Sequence, residues 1–510
     1  MVTAQNPILN GFYPDPSICA VGRDFYLVTS TFAYFPGVPI FHSKDLAHWE
    51  QIGNILDRPS QLPLDGCRQS RGIFAPTLRW HDGTFYMITT NISGGGNFIV
   101  TASNPAGPWS EPYWLGEDAP GIDPSLFFDD DDRCYYVGTR PNPVGERYNG
   151  DWEIWVQELD LNTMRLTGES HKLWKGALNG VIWPEGPHLY KKDGMYYLMI
   201  AEGGTGPNHS VTVARSKNLT GPYENNPNNP ILTHRHLGKQ YPITYVGHGD
   251  LVKDAFGSWY MVMLASRPCD GYTLMGRETF LAKVEWQEGW PIVNPGIGKL
   301  EDSVQLSLDP VPAAPRRLVY TFPNEVLPPE FVTLRGPVPL RADGRLQLPL
   351  LPETLKDKAT PAYVALRQCH RNYQAETLLD FDPQTPDECA GMAVLQSSTH
   401  SLRLEKYCAG PGLALRLIAC QDEKDSLLAV CPVAPGPLVL RMVCTGLKAD
   451  FYYEQNGKAV CAANAVDLSF LSTEVAGGFT GCTVGMYASA NGTQSDKTAV
   501  FHWFAYQPLH

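Results

Sequence analysis

YPDPSICAVGRDFYLVTS (13–30), IFAPTLRWHDGTFYMITT (73–90), GIDPSLFFDDDDRCYYVGT (121–139), WPEGPHLYKKDGMYYLMIA (183–201) and VGHGDLVKDAFGSWYMVML (246–264) are five versions of one pattern. Each has a short polar or Pro-containing start, an apolar strand, a tight turn and a second, aromatic-rich strand. The starts lie about 50 to 65 residues apart, a period typical of propeller blades or arrays, because one supersecondary unit cannot bury its own faces. Each unit continues in an outer half: SKDLAHWEQIG, TASNPAGPWSEPYWL, ELDLNTMRLTGESHKLW, ARSKNLTGPYENNPNNPIL and KVEWQEGWPIVNPG in turn. A hairpin plus two further strands makes a four-stranded blade. Five such units fill residues 1 to about 303, which predicts a five-bladed β-propeller. Asp82-Gly83 and Asp193-Gly194 supply hairpin turns. No long amphipathic helical stretch interrupts the series. A generic all-β protein would not repeat two half-motifs five times in register.

The position just before the Pro or Gly is Asp15, Ala75, Asp123, Glu185 (after a one-residue insertion) and His248 in turn. Equivalent positions in a closed array point at a common axis, so the pattern gathers two Asp, one Glu and one His around one point. Two carboxylates across a cleft can hydrolyse a glycosidic bond, one protonating the leaving oxygen and the other activating water or attacking directly. A third carboxylate can raise the pKa of the acid. The alternative is a divalent metal site. That reading is weaker, because the four residues come from four different units and no two stand at ligand spacing.

Composition narrows the partners. The net charge of −13 argues against nucleic acid or an anionic membrane and suits a neutral substrate such as a sugar. No apolar stretch is long enough to span a bilayer. The start MVTAQNPILNGFYPDP lacks the basic and apolar regions of a signal peptide. The 12 cysteines are scattered, with no Cys-x-x-Cys and no zinc-ribbon spacing. A cytoplasmic location is therefore expected, and the Asn-x-Ser/Thr sites at Asn91, Asn208, Asn218 and Asn491 would carry no glycan. A homo-oligomer is compatible with the sequence.

From about Val304 the pattern changes. Residues 304–317, ending in SLDPVPAAPRR, read as a Pro-rich linker. Residues 318–510 hold alternating runs such as YVALRQ, SLRLEKY, LALRLIAC, LVLRMVC and TAVFHWFAYQP, with a hairpin at Asn456-Gly457. Seven or more strands of this kind predict a β-sandwich, jelly-roll-like, with no catalytic cluster of its own.

These motifs resemble glycoside hydrolase family 43, in its branch of exo-acting β-D-xylosidases and α-L-arabinofuranosidases with a C-terminal β-sandwich. The resemblance rests on NPILNGFYPDPSI, YFPGVPIFHSKDLAHWEQIG, APTLRWHDGTFYMITT, GIDPSLFFDDD, PEGPHLYKKDGMYYLMIAEGGT, GHGDLV and MGRETFLAKVEW, and on GGFTGCTVGMYA in the sandwich. It implies an inverting mechanism on hemicellulose-derived oligosaccharides such as those of xylan, with no cofactor for the chemistry. It further implies Asp15 as general base, Glu185 as general acid and Asp123 as the group that raises the pKa of Glu185 and orients the sugar. Arg277, in GRET, would bind a sugar hydroxyl.

For the remaining residues alternatives stay open. His248 lines the channel, contacts a structural calcium through water, or simply hydrogen-bonds. Phe32 and Phe74 are sugar-subsite walls or core aromatics; many relatives carry Trp where Phe74 stands. Phe479, in the loop Gly478-Phe479-Thr480-Gly481, is either a lid over the sugar or a sandwich core residue. The acidic run 129–132 reads as a solvated hairpin turn. An endo-acting arabinan hydrolase of the same fold and a non-catalytic sugar-binding propeller are the competing functions. GRET and the appended sandwich favour the exo enzyme, and retention of all three carboxylates favours catalysis.

Overall fold

A computed structural model of the chain describes every residue except Asn179, 314–316 and His510. Residues 314–316 of the predicted linker thus lie outside the described residues. The described chain is all-β; its helical content is three 3-10 turns and the single-turn helix Thr473–Ala476.

The first 300 residues form five four-stranded antiparallel sheets. Their innermost strands are Ser17–Val21, Thr77–His81, Ile122–Phe128, Glu185–Lys192 and Thr244–Lys253, one from each sequence repeat. Each leads by a tight turn into a second strand. At the predicted turns Asp82 and Gly83 (φ 44° and 78°) and Asp193 and Gly194 (φ 52° and 76°) adopt the left-handed pairs that match strand twist.

The sheets pack face to face in a closed series. Val28 and Ile40 of the first meet Met87 and Phe98 of the second. Ile88 and Ile99 of the second meet Leu126 and Trp155 of the third. Val137 and Val156 of the third meet Leu198 and Ile200 of the fourth. Met199 and Val213 of the fourth meet Met261 and Phe280 of the fifth. Val262 and Leu281 of the fifth return to Ile18 and Leu27 of the first. The series is clasped by Val2–Gln5, which pairs with Ser303–Leu306.

One buried carboxylate joins four of the inner strands. Asp250, in the fifth sheet, accepts hydrogen bonds from Ser17 Oγ (2.7 Å), Arg79 Nη1 (2.9 Å) and Tyr190 Oη (2.6 Å) of the first, second and fourth. Arg79 also bonds His188 Nδ1 at 2.9 Å. A charge this deep is tolerated because it is paired and its lone pairs are filled.

The acidic run at 129–132 differs from expectation. Asp130 and Asp132 are solvated, but Asp129 accepts hydrogen bonds from Lys191 Nζ and Tyr196 Oη and so ties the third sheet to the fourth.

The C-terminal half is two sheets, of eight and six strands, face to face. Ala375, Leu440, Met442, Phe501 and Phe504 of one pack on Val364, Met392, Leu404, Val484 and Met486 of the other. Period-2 alternation of apolar residues drives this, since only one face of each strand is buried. The sandwich docks on the first half through Thr333–Leu334, which pairs with Tyr34–Phe35. A shared core there includes Phe12, Phe32, Tyr34, Val332, Tyr363 and Tyr487.

Candidate active site

The inner strands begin at one end of the sheet series, and there the backbone is strained. Asp15 (φ 54°), Asp123 (φ 50°) and His248 (φ 50°) are left-handed, a region rarely adopted by non-glycine residues. In the fourth sheet the equivalent left-handed residue is Gly186 (φ 53°), which explains the one-residue offset of Glu185. Register shifts follow at 122–125, 185–188 and 244–249. Bulges of this kind re-aim side chains beside functional sites. Gly186 is required for space as well, since a Cβ there would come within 2.8 Å of the His248 ring.

These starts surround a cavity of about 570 Å3, within the range of small-molecule sites. Asp15, Asp123, Glu185, His248, Arg277, Phe32, Phe74 and Phe479 all line it. The sequence-predicted residues therefore converge on one pocket.

Asp15 is buried and doubly held. Arg277 Nη1 donates to Oδ1 at 2.8 Å and Ser30 Oγ to Oδ2 at 2.6 Å, while His248 Nδ1 lies 3.9 Å away. Burial works to raise the Asp15 carboxyl, but Arg277, His248 and the Ser30 hydrogen bond outweigh it and keep it below the usual range. Asp123 accepts the Gly186 N–H at 3.1 Å. Burial, with the Asp15 charge adding to it, pushes Asp123 up to about 6 against the pull of His248. Among the described residues no cation is bonded to Glu185, and burial followed by the charges of Asp123 and Asp15 drives it well above the ordinary glutamate value. Because the Gly186 N–H favours the Asp123 anion, the proton shared by this pair belongs on Glu185. The pocket thus pairs an ionised carboxylate with a protonated one, the division of labour that acid–base hydrolysis needs.

The walls are aromatic. Phe32 and Ile73 exchange backbone hydrogen bonds (2.8 and 3.1 Å), which sets Phe32 beside Phe74 with centroids 5.7 Å apart. Phe479, from the sandwich, stacks on Phe32 at 6.0 Å and meets Phe74 edge-on at 6.2 Å. It is 36% exposed and faces the cavity. Its loop is fastened down: Phe479 N donates to Ser70 Oγ at 2.8 Å, and Cys482 N to Leu274 O at 2.8 Å. Gly481 lies so close to Met275 that a Cβ would approach its carbonyl to 2.5 Å.

Sequence reasoning missed several lining residues. Trp152 opens the third strand of the third sheet, Trp183 is the first residue of the fourth repeat, and Arg68, Ser70 and Arg71 sit on the connection into the second sheet. Trp183 (φ 46°) alone carried a signal, as the residue two before Glu185. Among the described residues no three His, Cys, Asp or Glu side chains are grouped to hold a metal ion.

Comparison with known proteins places this geometry. Residues 4–291 match the family model of glycosyl hydrolases family 43, and residues 319–507 that of the beta xylosidase C-terminal concanavalin A-like domain. The chain is 54% identical to a xylosidase/arabinosidase of Butyrivibrio fibrisolvens, covering 100% of each chain. It is 39% identical to a non-reducing end alpha-L-arabinofuranosidase of Bacteroides ovatus, covering 99% of this chain and 95% of the relative. Among solved structures, a xylan beta-1,4-xylosidase from Bacillus halodurans superposes with a TM-score of 0.94 at 35% identity, over 99% of this chain and 100% of that one.

Proposed function

The chain belongs to glycosyl hydrolase family 43 and is an exo-acting glycoside hydrolase, and from that premise we propose that it releases terminal α-L-arabinofuranosyl and β-D-xylosyl residues from hemicellulose-derived oligosaccharides with inversion. The observation that carries the reading is the opposite treatment of two carboxyls in one pocket: Asp15 is held ionised by Arg277, and Glu185 is held protonated by burial beside Asp123.

In this scheme the terminal pentose lies between Phe32, Phe74 and Phe479. Asp15 takes a proton from a water that attacks the anomeric carbon. Glu185 gives its proton to the leaving oxygen as the bond breaks. Asp123 keeps Glu185 protonated and orients the sugar. Arg277 holds Asp15 ionised and offers its second amino group, Nη2, towards the pocket side near Phe479 O. His248 packs on Gly186 and sets the floor between Asp15 and the acid. The loop at 478–481 closes one side, which suits removal of one terminal unit rather than cleavage within a chain.

The closed series of five four-stranded sheets supports a five-bladed propeller over residues 1–303, joined through 304–317 to a jelly-roll-like sandwich over 318–510. Calcium favours roughly six to eight oxygen ligands. Around His248 the Asp15 oxygens accept from Arg277 and Ser30, and Asp123 accepts from Gly186, so a calcium ion in the channel would be held largely through water, as the sequence reading has it. No step in the scheme uses a metal. A cytoplasmic location is proposed on the scattered spacing of the cysteines in the sequence.

The test is a pair of variants, Asp15→Asn and Glu185→Gln, assayed on a disaccharide and on a nitrophenyl glycoside. Both should lose at least about a hundredfold in turnover on the disaccharide. Glu185→Gln should retain more on the nitrophenyl substrate, whose leaving group needs little protonation. Near-normal turnover of the disaccharide by either variant refutes the assignment.

A further inference from the structure

The pocket carries more positive charge at its mouth than the chemistry at its floor uses. Asp15, Asp123, His248 and Arg277 are buried, whereas Arg68 and Arg71, which line the same cavity, are exposed. The exposed pair therefore marks the open end. Arg277 is committed to Asp15. Among the described residues, no carboxylate lies within ion-pair distance of Arg68 or Arg71. This occurs in a chain whose net charge is −13, so the pair is not part of a generally basic surface.

The arginines are also displayed on a fixed support. The Arg71 N–H bonds the Arg68 carbonyl at 2.9 Å, which puts both side chains on one turn. That turn is held from both halves of the molecule. Arg335 Nε donates to Cys67 O at 2.6 Å, Gln69 Nε2 to Tyr34 Oη at 3.2 Å, Phe479 N to Ser70 Oγ at 2.8 Å, and Gly72 N to Ser93 Oγ at 3.1 Å. Two guanidinium groups on a pinned turn lose little freedom on binding, which makes them effective recognition elements. Trp152 and Trp183 line the same cavity and add aromatic surface for a second sugar. A neutral sugar needs no cation, but planar guanidinium forks match a carboxylate.

We propose that the outer part of the pocket is a leaving-group subsite for a sugar that carries a carboxylate, so that the enzyme selects oligosaccharides with a uronic acid next to the terminal pentose. Arg68 and Arg71 are its specificity-determining residues. The uronic acid is on the unit left behind, so the chemistry at Asp15 and Glu185 is unchanged. The inference rests on the glycosidase reading of the same pocket.

The experiment compares kcat/KM for xylobiose and for xylobiose bearing a glucuronic acid on its reducing-end xylose. Wild type should prefer the acidic substrate by about tenfold, the scale of a partly exposed charged contact with two partners. The preference should shrink in about 0.5 M sodium chloride, where screening is short-ranged. It should vanish in the double variant Arg68→Gln/Arg71→Gln and persist in part in Arg68→Lys/Arg71→Lys. Circular dichroism checks the fold of each. Equal rates on both substrates in wild type, a preference for the neutral one, or a preference that survives the double Gln variant overturns the inference. Failure to cleave xylobiose or either nitrophenyl pentoside would instead sink the underlying assignment of function.

Discussion

Replacing Phe479 with alanine separates a lid from a packing residue, and the structure sets the size of both effects. A phenylalanine offers roughly 150–250 Å2 of surface, and 36% of Phe479 is exposed. The exposed part, roughly 55–90 Å2, is what a bound pentose would cover; at about 25 cal/mol per Å2 it is worth about 1.4–2.2 kcal/mol. Loss of that wall should weaken a monosaccharide inhibitor by roughly 10- to 40-fold. The buried part packs on Phe32, Phe74 and the Arg277 guanidinium. Its loss costs stability as well, on the order of 1–2 kcal/mol, because water from the open pocket can fill the space. Titration calorimetry gives the affinity and thermal unfolding gives the stability. An inhibitor affinity within about twofold of wild type, together with a lowered Tm, would show that Phe479 only holds the two halves together, and the lid would be wrong.

Two further predictions concern the acid. Asp123→Asn removes the neighbouring charge that helps hold Glu185 protonated, so the basic limb of the kcat/KM profile should move to lower pH along with a fall in rate. An unmoved limb with only a raised KM would make Asp123 a binding residue. The raised Glu185 carboxyl also costs stability. Below the unfolded-state value, about 4.3, both states are protonated and nothing is lost. As pH rises towards the folded-state value, only the unfolded chain ionises, and the native enzyme loses ground. Glu185→Gln should therefore raise Tm above wild type by a margin that grows from about pH 4.5 upward. A constant margin across that range contradicts the raised pKa.

Much of this was legible because the repeat is local. A strand, a Gly turn and a second strand can be read within one short window, and aligning five such windows puts Asp15, Asp123, Glu185 and His248 together without any knowledge of packing angles. The same alignment flagged Glu185 as one residue out of step, and the backbone at Gly186 supplies the reason. What the sequence hid depends on contacts between units. Asp250 sits two residues past His248 in a motif already quoted, yet nothing local reveals that Ser17, Arg79 and Tyr190 all donate to it. Asp129 looked like any acidic turn residue, because Lys191 and Tyr196 approach it from the next sheet. Arg68 and Arg71 lie on a connection where spacing carries no information, and their place in the pocket follows from how Arg335 and Phe479 pin that loop; Trp152 starts a strand in the outer half of its unit, outside the aligned motif.

The central claim is a single displacement, in which a water activated by Asp15 attacks as Glu185 protonates the leaving oxygen. Proton NMR of a β-D-xyloside during the first moments of hydrolysis reads this directly, before mutarotation blurs the anomers. The account predicts α-D-xylose as the first product to appear. Initial release of β-D-xylose would mean a covalent glycosyl-enzyme intermediate and would contradict the roles given to Asp15 and Glu185.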